Sequence, residues 1–422
     1  MEKLVIRGGR PLNGSVVISG MKNAALGIIF GCLLVKDRIT LEDLPRISDV
    51  NLSLDILRSM GAEVTENADG SVTVDCTNAV GGISPDELVK KMRASYYLLG
   101  AELGRFGRAR VGRSGGCDFG KRPIDQHIKG FEALGGVVTV SDDCIRIEAE
   151  NGIRGNELFF DVITVGGTIN MLLAAVLAEG TTIIENAAKE PHIVDVANFL
   201  NTCGAVISGA GTDTIKIKGV RALHGCTYAI VPDMIEAGTY MIAAAATRGC
   251  LRIENVIPKH LESITAKLLE MGVSVDEFDD AIVVSAPDPL NHINLKTLPY
   301  PGYPTDMQPQ ICALLSISEG TSHLIEGVIE NRFRYVEELR RLGASIEVNG
   351  KTATINGVEQ LHGARVRAVD LRAGAAMVIA GLASDGVTEI EDIHHIERGY
   401  DDIVGKLKKV GADIEKVVIE SL

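Results

Sequence analysis

The sequence predicts an α/β fold with two similar domains, and three observations support this prediction. First, a helix-like stretch that ends in glycine and continues into an alternating strand occurs six times, at intervals of 68 to 74 residues. The six glycines are Gly61, Gly135, Gly204, Gly272, Gly343 and Gly411. Second, apolar helical stretches such as INMLLAAVLA and GAAMVIAGLA lie between the repeats. Third, 422 residues suffice for two or three domains, so we expect two domains of three repeats each.

Each repeat is expected to contain strands and two helices. A glycine directly after a helix predicts a left-handed residue there, because glycine adopts a positive φ without steric cost. The alternation of apolar and polar residues after each glycine is typical of a strand with one buried face. The apolar run AALGIIFGCLLV near the amino terminus predicts a buried helix.

The two ends of the chain are expected to meet in one domain. The first strand, KLVIRG, has no partner nearby in the sequence, and the last segment, EKVVIESL, also has the pattern of a strand. Chain termini of compact proteins often lie close together. We therefore predict one domain at residues 22–230 and a second at residues 231–422, completed by residues 1–21.

Composition and charge narrow the class of protein. Hydrophobic residues make up 46% and charged residues 23% of the chain, which is typical of globular proteins. The net charge of −14 argues against non-specific binding to nucleic acid, although a local cluster of cations could still bind a small anion. The longest apolar run has 12 residues, too few to span a bilayer. The amino terminus has no signal-peptide pattern, so we expect a cytoplasmic protein that is not inserted in a membrane.

One of the eight cysteines has an unusual setting. No CxxC pair and no zinc-ligand spacing occurs, so we expect reduced thiols, no metal and no cofactor. The apolar contexts of four cysteines predict buried, structural roles for Cys32, Cys203, Cys250 and Cys312. In GGCDFGKRPIDQH, by contrast, Cys117 follows glycines and precedes Lys121 and Arg122, which would favour a reactive thiolate. A hydrolytic pair with His127 is an alternative with little support.

Several units place a cation near the opening of an apolar helix. Alone, each such residue is typical of a solvated helix surface, but their recurrence predicts that several converge on an anionic ligand. Residues near helix openings are Lys22, Arg332, Arg372 and Arg398, and a further cation, Arg93, is predicted to lie inside an apolar helix. Asp370 stands beside Arg372 at one of these helix starts. In PGYPTDMQPQ, Asp306 could cap a helix or act as a general base, and the sequence leaves both open.

Over essentially its whole length, the chain resembles the enolpyruvyl transferases. The order and spacing of its motifs carry the resemblance: SGMKNAAL, MRAS, GGCDFGKRPIDQH, EGTTIIENAAKEPHIVD, PTDMQPQ, ENRF, VDLRAG and HIERGY. The resemblance implies two inverted α/β barrels, with helices inside, sheets outside and the active site in the interdomain cleft. It also implies transfer of the enolpyruvyl group of phosphoenolpyruvate to the 3-hydroxyl of UDP-N-acetylglucosamine, the first committed step of peptidoglycan synthesis.

The same resemblance implies roles for individual residues. Cys117 would protonate phosphoenolpyruvate and could form a covalent adduct with it, and Asp306 would accept the hydroxyl proton. Three cations would hold the phosphate and carboxylate: Lys22, Arg122 and Arg398. Further substrate contacts are implied at Asn23, Arg93, Pro123, Asp125, Thr164, Val165, Gly166, Val328, Arg332, Asp370 and Arg372.

The sequence departs from the family pattern at three positions. Met234 stands where the family has arginine, and Asp118 and Phe119 are unexpected after the cysteine. An acid beside Cys117 predicts a less thiolate-like cysteine. Two alternatives remain: a transferase with another acceptor, such as shikimate 3-phosphate, and a regulatory protein that binds UDP-sugar without turnover. The GGC motif argues against the first, and the full set of reactive residues argues against the second.

Overall fold

The computed structural model describes residues 2–82, 86–112, 124–287 and 289–418. The chain divides into two compact units: unit 1 is Met1–Ser19 with Pro232–Leu422, and unit 2 is Gly20–Val231. Both units combine helices and strands throughout, which confirms the predicted α/β class. Among the described helices, none combines the length and the apolar character needed to cross a membrane.

Unit 1 begins with two strands at the amino terminus, β1 (Glu2–Arg7) and β2 (Asn13–Val17). The helices of unit 2 are α1 (Lys22–Gly31), α2 (Ser48–Ser59), α3 (Asp86–Val89), α4 (Tyr97–Phe106), α5 (Asp125–Ala133), α6 (Val165–Ala175) and α7 (Pro191–Thr202). Its strands are β3 (Arg38–Glu42), β4 (Glu63–Glu66), β5 (Val72–Asp75), β6 (Arg108–Gly112), β7 (Val137–Val140), β8 (Cys144–Glu148), β9 (Glu157–Phe159), β10 (Thr181–Glu185), β11 (Val206–Ser208), β12 (Thr214–Lys218) and β13 (Thr227–Ala229).

The rest of unit 1 follows the same alternation. Its helices are α8 (Met234–Ala246), α9 (Glu262–Glu270), α10 (Gln308–Leu315), α11 (Val336–Arg341), α12 (Leu371–Ala383), α13 (His394–Glu397) and α14 (Ile403–Lys409). Its strands are β14 (Cys250–Glu254), β15 (Ser274–Glu277), β16 (Ala281–Ser285), β17 (Asn294–Lys296), β18 (Thr321–Ile325), β19 (Ser345–Asn349), β20 (Thr352–Asn356), β21 (Arg365–Arg367), β22 (Val387–Glu391) and β23 (Asp413–Val418). Short 3₁₀ turns occupy Cys32–Leu34, Arg93–Tyr96, Pro258–Leu261, Thr305–Met307 and Arg332–Tyr335.

The strands of the described residues form three sheets in each unit. In unit 2 the strands are ordered β13-β3-β5-β4, β6-β8-β7 and β9-β10-β12-β11 within their sheets. In unit 1 the strand orders are β2-β14-β16-β15, β17-β18-β20-β19 and β21-β22-β1-β23. Each four-stranded sheet has one parallel pair at an edge, and its other pairs are antiparallel. All six sheets in the described ranges are open.

Within each unit, the most apolar helices lie in the interior. Every residue of α8 and α10 is buried, and these two helices pack against α12. Their sequences are rich in Ala, Ile and Leu on all faces, and a helix without a polar face is stable only when it is surrounded. The strands instead alternate buried and exposed residues, as in β12 and β18, so each sheet has one solvent-facing side.

The repeat glycines end their helices as predicted. All six have φ between +89° and +99°, where a residue with a Cβ atom is strained. One expectation about the cysteines is wrong. Cys250 is exposed, because it is the first residue of β14 and lies on the solvent side of the strand, whereas Cys32, Cys203 and Cys312 are buried.

Candidate functional site

The predicted site residues fall into three groups. Cys117, Arg122 and Pro123 lie outside the described residues, as do Lys121, Asp118 and Phe119. The remaining candidates belong either to unit 1 or to unit 2.

In unit 1, Asp306 is held by two arginines. Its Oδ2 atom lies 3.1 Å from Nη2 and 3.3 Å from Nε of Arg372, and its Oδ1 atom lies 3.7 Å from Nη2 of Arg332. The two arginine side chains are only 3% and 5% exposed, whereas the Asp306 side chain is 30% exposed. The buried guanidinium groups therefore orient a carboxylate that can still be reached from outside.

These contacts bear on the two interpretations of Asp306. It lies inside the 3₁₀ turn that precedes α10, and neither Pro304 nor Met307, the residues before the turn and the helix, provides a side-chain cap. Its carboxylate contacts arginines instead. The carboxylate thus lies among cations, and its role as a general base stays a prediction.

The backbone of α12 positions Arg372. Asp370 precedes the helix, and its Oδ1 atom accepts hydrogen bonds from the backbone N–H groups of Arg372 and Ala373, each at 2.9 Å. Burial by itself would lower the pKa of Arg372, but the charge of Asp306 and contact with Tyr400 raise it well above its ordinary value. Arg372 is therefore a permanent cation.

In unit 2, Lys22 forms a buried ion pair that the sequence did not reveal. Lys22 is the first residue of α1, as predicted, and its Nζ atom lies 2.8 Å from Oδ2 of Asp49 in α2. Both side chains are less than 10% exposed. A buried ion pair of this kind fixes the direction of the lysine side chain. Asn23, the next residue, is half-buried.

A second cluster in unit 2 surrounds the start of α6. Thr164 caps this helix, because its Oγ1 atom accepts a hydrogen bond of 3.1 Å from the backbone N–H of Gly167. Val165 and Gly166 form its first turn. A Cβ atom at Gly166 would lie 2.8 Å from Cε1 of His127, so only glycine allows the imidazole to pack there.

His127 is held as a neutral hydrogen-bond acceptor. The side-chain amide of Asn170 donates to its Nδ1 atom at 3.0 Å. Burial, followed by the nearby charge of Arg93, lowers the pKa of His127 to about 4. Because Nδ1 already accepts this bond, the imidazole is poorly suited to act as the base of a hydrolytic pair with Cys117.

Two predictions about cations need correction. Arg93 heads the 3₁₀ turn before α4 and does not lie inside a helix, because Met92 is still in an extended conformation. Arg398 follows α13 and does not open a helix. The next helix, α14, starts only after Asp402, whose Oδ1 atom accepts a hydrogen bond from the backbone N–H of Gly405 at 3.0 Å. Both arginines are half-buried.

The other candidates have separate settings. Asp125 is exposed at the start of α5, and its carboxylate accepts a 2.8 Å hydrogen bond from the side chain of Gln126. Val328 is exposed, and its backbone N–H donates to Oε1 of Glu326 at 2.8 Å. Met234, one departure from the family pattern, is buried as the first residue of α8. Across the described ranges, no three His, Cys, Asp or Glu side chains are grouped to hold a metal ion.

Several residues around the ion pair of Asp306 and Arg372 were not predicted from the sequence. Tyr400 contacts Arg372, and Gln310 and Thr239 contact Tyr400. Tyr400 closes the motif HIERGY and Gln310 closes PTDMQPQ, so two of the quoted motifs contained the signal.

Comparisons with known proteins agree over nearly the full length. A family model described as EPSP synthase (3-phosphoshikimate 1-carboxyvinyltransferase) matches residues 6–407. UDP-N-acetylglucosamine 1-carboxyvinyltransferase 3 of Caldanaerobacter subterraneus is 54% identical over 99% of this chain and 100% of its own. The UDP-N-acetylglucosamine 1-carboxyvinyltransferase of Clostridium botulinum is 53% identical, again over 99% of this chain and 100% of its own.

Solved structures show the same fold. The enolpyruvyl transferase NikO from Streptomyces tendae has a TM-score of 0.88 and 27% identity, and the match covers 99% of both chains. EPSP synthase from Acinetobacter baumannii has a TM-score of 0.75 with 17% identity, covering 99% of this chain and 100% of its own, which supports the fold alone. Because these matches span almost the entire sequence, the chain belongs to the UDP-N-acetylglucosamine 1-carboxyvinyltransferase family of enolpyruvyl transferases.

Proposed function

We propose that this protein transfers the enolpyruvyl group of phosphoenolpyruvate to the 3-hydroxyl of UDP-N-acetylglucosamine and releases phosphate. One observation carries the proposal: a carboxylate, Asp306, is presented by two buried arginines in a chain 54% identical to a relative named for this reaction. The reaction would be the first committed step of peptidoglycan synthesis and would take place in the cytoplasm.

The chemistry requires an acid and a base. A sugar hydroxyl is a poor nucleophile, so C2 of phosphoenolpyruvate must become electron-poor through protonation at C3. Cys117 is proposed to supply that proton, and its sulfur can also bond to C2 as an adduct. Asp306 is proposed to take the hydroxyl proton as the oxygen–C2 bond forms. Loss of a C3 proton and of phosphate then restores the double bond.

The anionic substrates require fixed cations. Lys22, Arg122 and Arg398 are proposed to bind the phosphate and carboxylate of phosphoenolpyruvate. The buried pair between Lys22 and Asp49 supports this role, because a cation that is already oriented needs no rearrangement as charge develops.

The remaining candidates are also proposed to contact the substrates. The start of α6, with Val165 and Gly166, is the kind of helix terminus that binds anionic oxygens. The other proposed contacts are Asn23, Arg93, Pro123, Asp125, Thr164, Val328, Arg332, Asp370 and Arg372. We also propose that the enolpyruvyl transferase domains are residues 22–230, which carry Cys117, and residues 231–422 with 1–21.

The test measures phosphate release from phosphoenolpyruvate with and without UDP-N-acetylglucosamine. Wild type and a Cys250→Ala control, altered at an exposed strand position, should both release phosphate only when the sugar is present. Cys117→Ala should lose about 100-fold or more, the usual contribution of a general acid.

Each other result has a defined meaning. Sugar-dependent release that survives in Cys117→Ala would remove the cysteine as the essential acid. Phosphate release that depends on shikimate 3-phosphate would identify that compound, and not UDP-N-acetylglucosamine, as the acceptor. Wild type that binds UDP-N-acetylglucosamine but releases no phosphate would support a regulatory binding protein.

A further inference from the structure

We infer that Tyr400 is a positioning residue for the Asp306 carboxylate. Its ring lies against the guanidinium of Arg372, and its hydroxyl, bonded to Gln310 and Thr239, holds that ring in place. This inference rests on the proposed function, because it assigns the group that sets the geometry of the proposed base. The residues involved all belong to unit 1 and lie on or beside its three interior helices.

The hydrogen-bond directions follow from the partners. Thr239 Oγ1 donates to the backbone carbonyl of Ile235 at 2.7 Å, so it has only lone pairs for other partners. The Tyr400 hydroxyl, 3.0 Å away, must therefore donate to Thr239. The side-chain amide of Gln310 donates to the Tyr400 oxygen at 3.2 Å and to the backbone carbonyl of Asp306 at 2.9 Å.

These bonds close a ring of contacts around the proposed base. Gln310 links Tyr400 to the backbone of Asp306, and the guanidinium of Arg372 binds the carboxylate of the same residue. The Arg372 Cζ atom lies 5.6 Å from the centre of the Tyr400 ring. The backbone and the carboxylate of Asp306 are thus both tied to Tyr400, each through one intermediate side chain.

The surroundings make the hydroxyl hard to replace. Tyr400, Gln310 and Thr239 are all at most 4% exposed, so bulk water has little access to the position of a missing hydroxyl. Burial raises the pKa of Tyr400, although the Arg372 charge acts in the opposite direction. The phenol therefore stays protonated and remains a donor at neutral pH.

Small displacements here should affect turnover. A proton acceptor must come within about 2.6 to 3.2 Å of the group that it deprotonates, and a shift of about 1 Å can reduce the rate about 100-fold. An arginine side chain has many rotamers, so its direction depends on the groups that restrain it. Tyr400 supplies this restraint without contacting substrate in the proposed mechanism.

The test compares Tyr400→Phe with the matched control Tyr240→Phe. Tyr240 is also buried in unit 1, but its hydroxyl has no hydrogen-bond partner among the described residues. Tyr400→Phe should lower kcat of sugar-dependent phosphate release about 10-fold, with both KM values changed less than about 2-fold, because the loss is in the transition state. Tyr240→Phe should keep kcat within about 2-fold of wild type.

Crystal structures of wild type and Tyr400→Phe give a readout that does not need activity. The inference expects the Arg372 guanidinium to move away from Asp306 in the variant. An unmoved pair, or an unchanged kcat, would overturn it. Gln310→Met removes the side-chain amide that links Tyr400 to the backbone of Asp306, and this variant should show a similar loss of kcat. A wild type without phosphate release would refute the proposed function, and the two crystal structures would then decide the positioning role alone.

Discussion

Burial and neighbouring charged groups together determine the pKa and the accessibility of interior carboxylates. Burial raises the pKa of Glu102 to about 7 and that of Asp195 to about 6. It also raises the pKa of Glu236 to about 7, even though Nζ of Lys406 lies 2.6 Å from its carboxylate. Asp306 differs because two arginines contact it and its side chain is partly exposed. The proposed role of Asp306 as a proton acceptor requires access to substrate and a fixed position, and this arrangement provides both.

Glu102 provides a prediction about pH at the level of one residue. Its Oε2 atom accepts hydrogen bonds from the backbone N–H groups of Gly82 at 3.3 Å and Arg110 at 3.0 Å, and the side chain is fully buried. Because its folded pKa is raised, its contribution to stability is complete below the ordinary pKa of 4.5 and is lost as pH rises through about 7. The loss is on the order of 3 kcal/mol at alkaline pH.

Glu102→Gln, which resembles the protonated form, should therefore reduce the fall in Tm between pH 5 and pH 8. Thermal unfolding at several pH values measures this effect. The control is Glu132→Gln, an exposed position in unit 2, which should leave the pH dependence as in wild type. An identical fall in Tm for wild type and Glu102→Gln would show that the carboxyl does not titrate in this range.

At the level of secondary-structure elements, each repeat is marked by a helix that ends at a glycine. Each repeat glycine adopts a positive φ after its helix and leads the chain toward the strand that follows. N-terminal caps are set by side chains, as with Thr164 for α6, Asp233 for α8 and Asp370 for α12. Local signals of this kind fix where each element begins or ends.

Gly411→Ala tests this role between α14 and β23. Gly411 has φ +99°, and the nearest atom to an added Cβ, the carbonyl oxygen of Pro11, is 3.9 Å away. The substitution therefore introduces backbone strain without a clash, and we expect a loss of about 1 to 3 kcal/mol. Denaturant unfolding measures the loss. Lys408→Ala, an exposed change in α14, is the control and should stay within about 0.5 kcal/mol of wild type. Equal stabilities for the two variants would contradict the strain argument.

At the level of the whole molecule, unit 1 needs the amino terminus. Strand β1 lies between β22 and β23 and is antiparallel to both. It buries Leu4, Val5 and Ile6. Strand β2 pairs with β14 at the edge of another sheet. Without residues 1–19, two sheets of unit 1 would each lose a strand.

The chain ends of each unit are close enough for the units to be produced separately. In unit 1 the backbone N–H of Asp233 donates to the carbonyl of Ser19 at 2.9 Å, and in unit 2 that of Met21 donates to Val231 at 2.7 Å. We predict that residues 20–231 fold alone and that residues 1–19 joined by a short Gly-Ser linker to 232–422 also fold. Residues 232–422 without the amino-terminal strands should not.

Circular dichroism and cooperative thermal unfolding of the three fragments check this prediction. A cooperative transition for residues 232–422 alone would show that β1 and β2 are not required. Absence of a transition for residues 20–231 would show that unit 2 is not an independent folding unit.

The sequence by itself determined the local structure and the family. Glycines after helices, alternating strands and helices apolar on all faces act through neighbouring residues, so their patterns could be recognised in the linear chain. Motif order was enough to recognise the enolpyruvyl transferases. The tertiary structure was needed to show that Asp306 meets Arg372, 66 residues away, that Lys22 pairs with Asp49, and that the Tyr400 ring lies against Arg372. Such contacts depend on how distant helices pack, and no local pattern in the sequence specifies which side chains then meet.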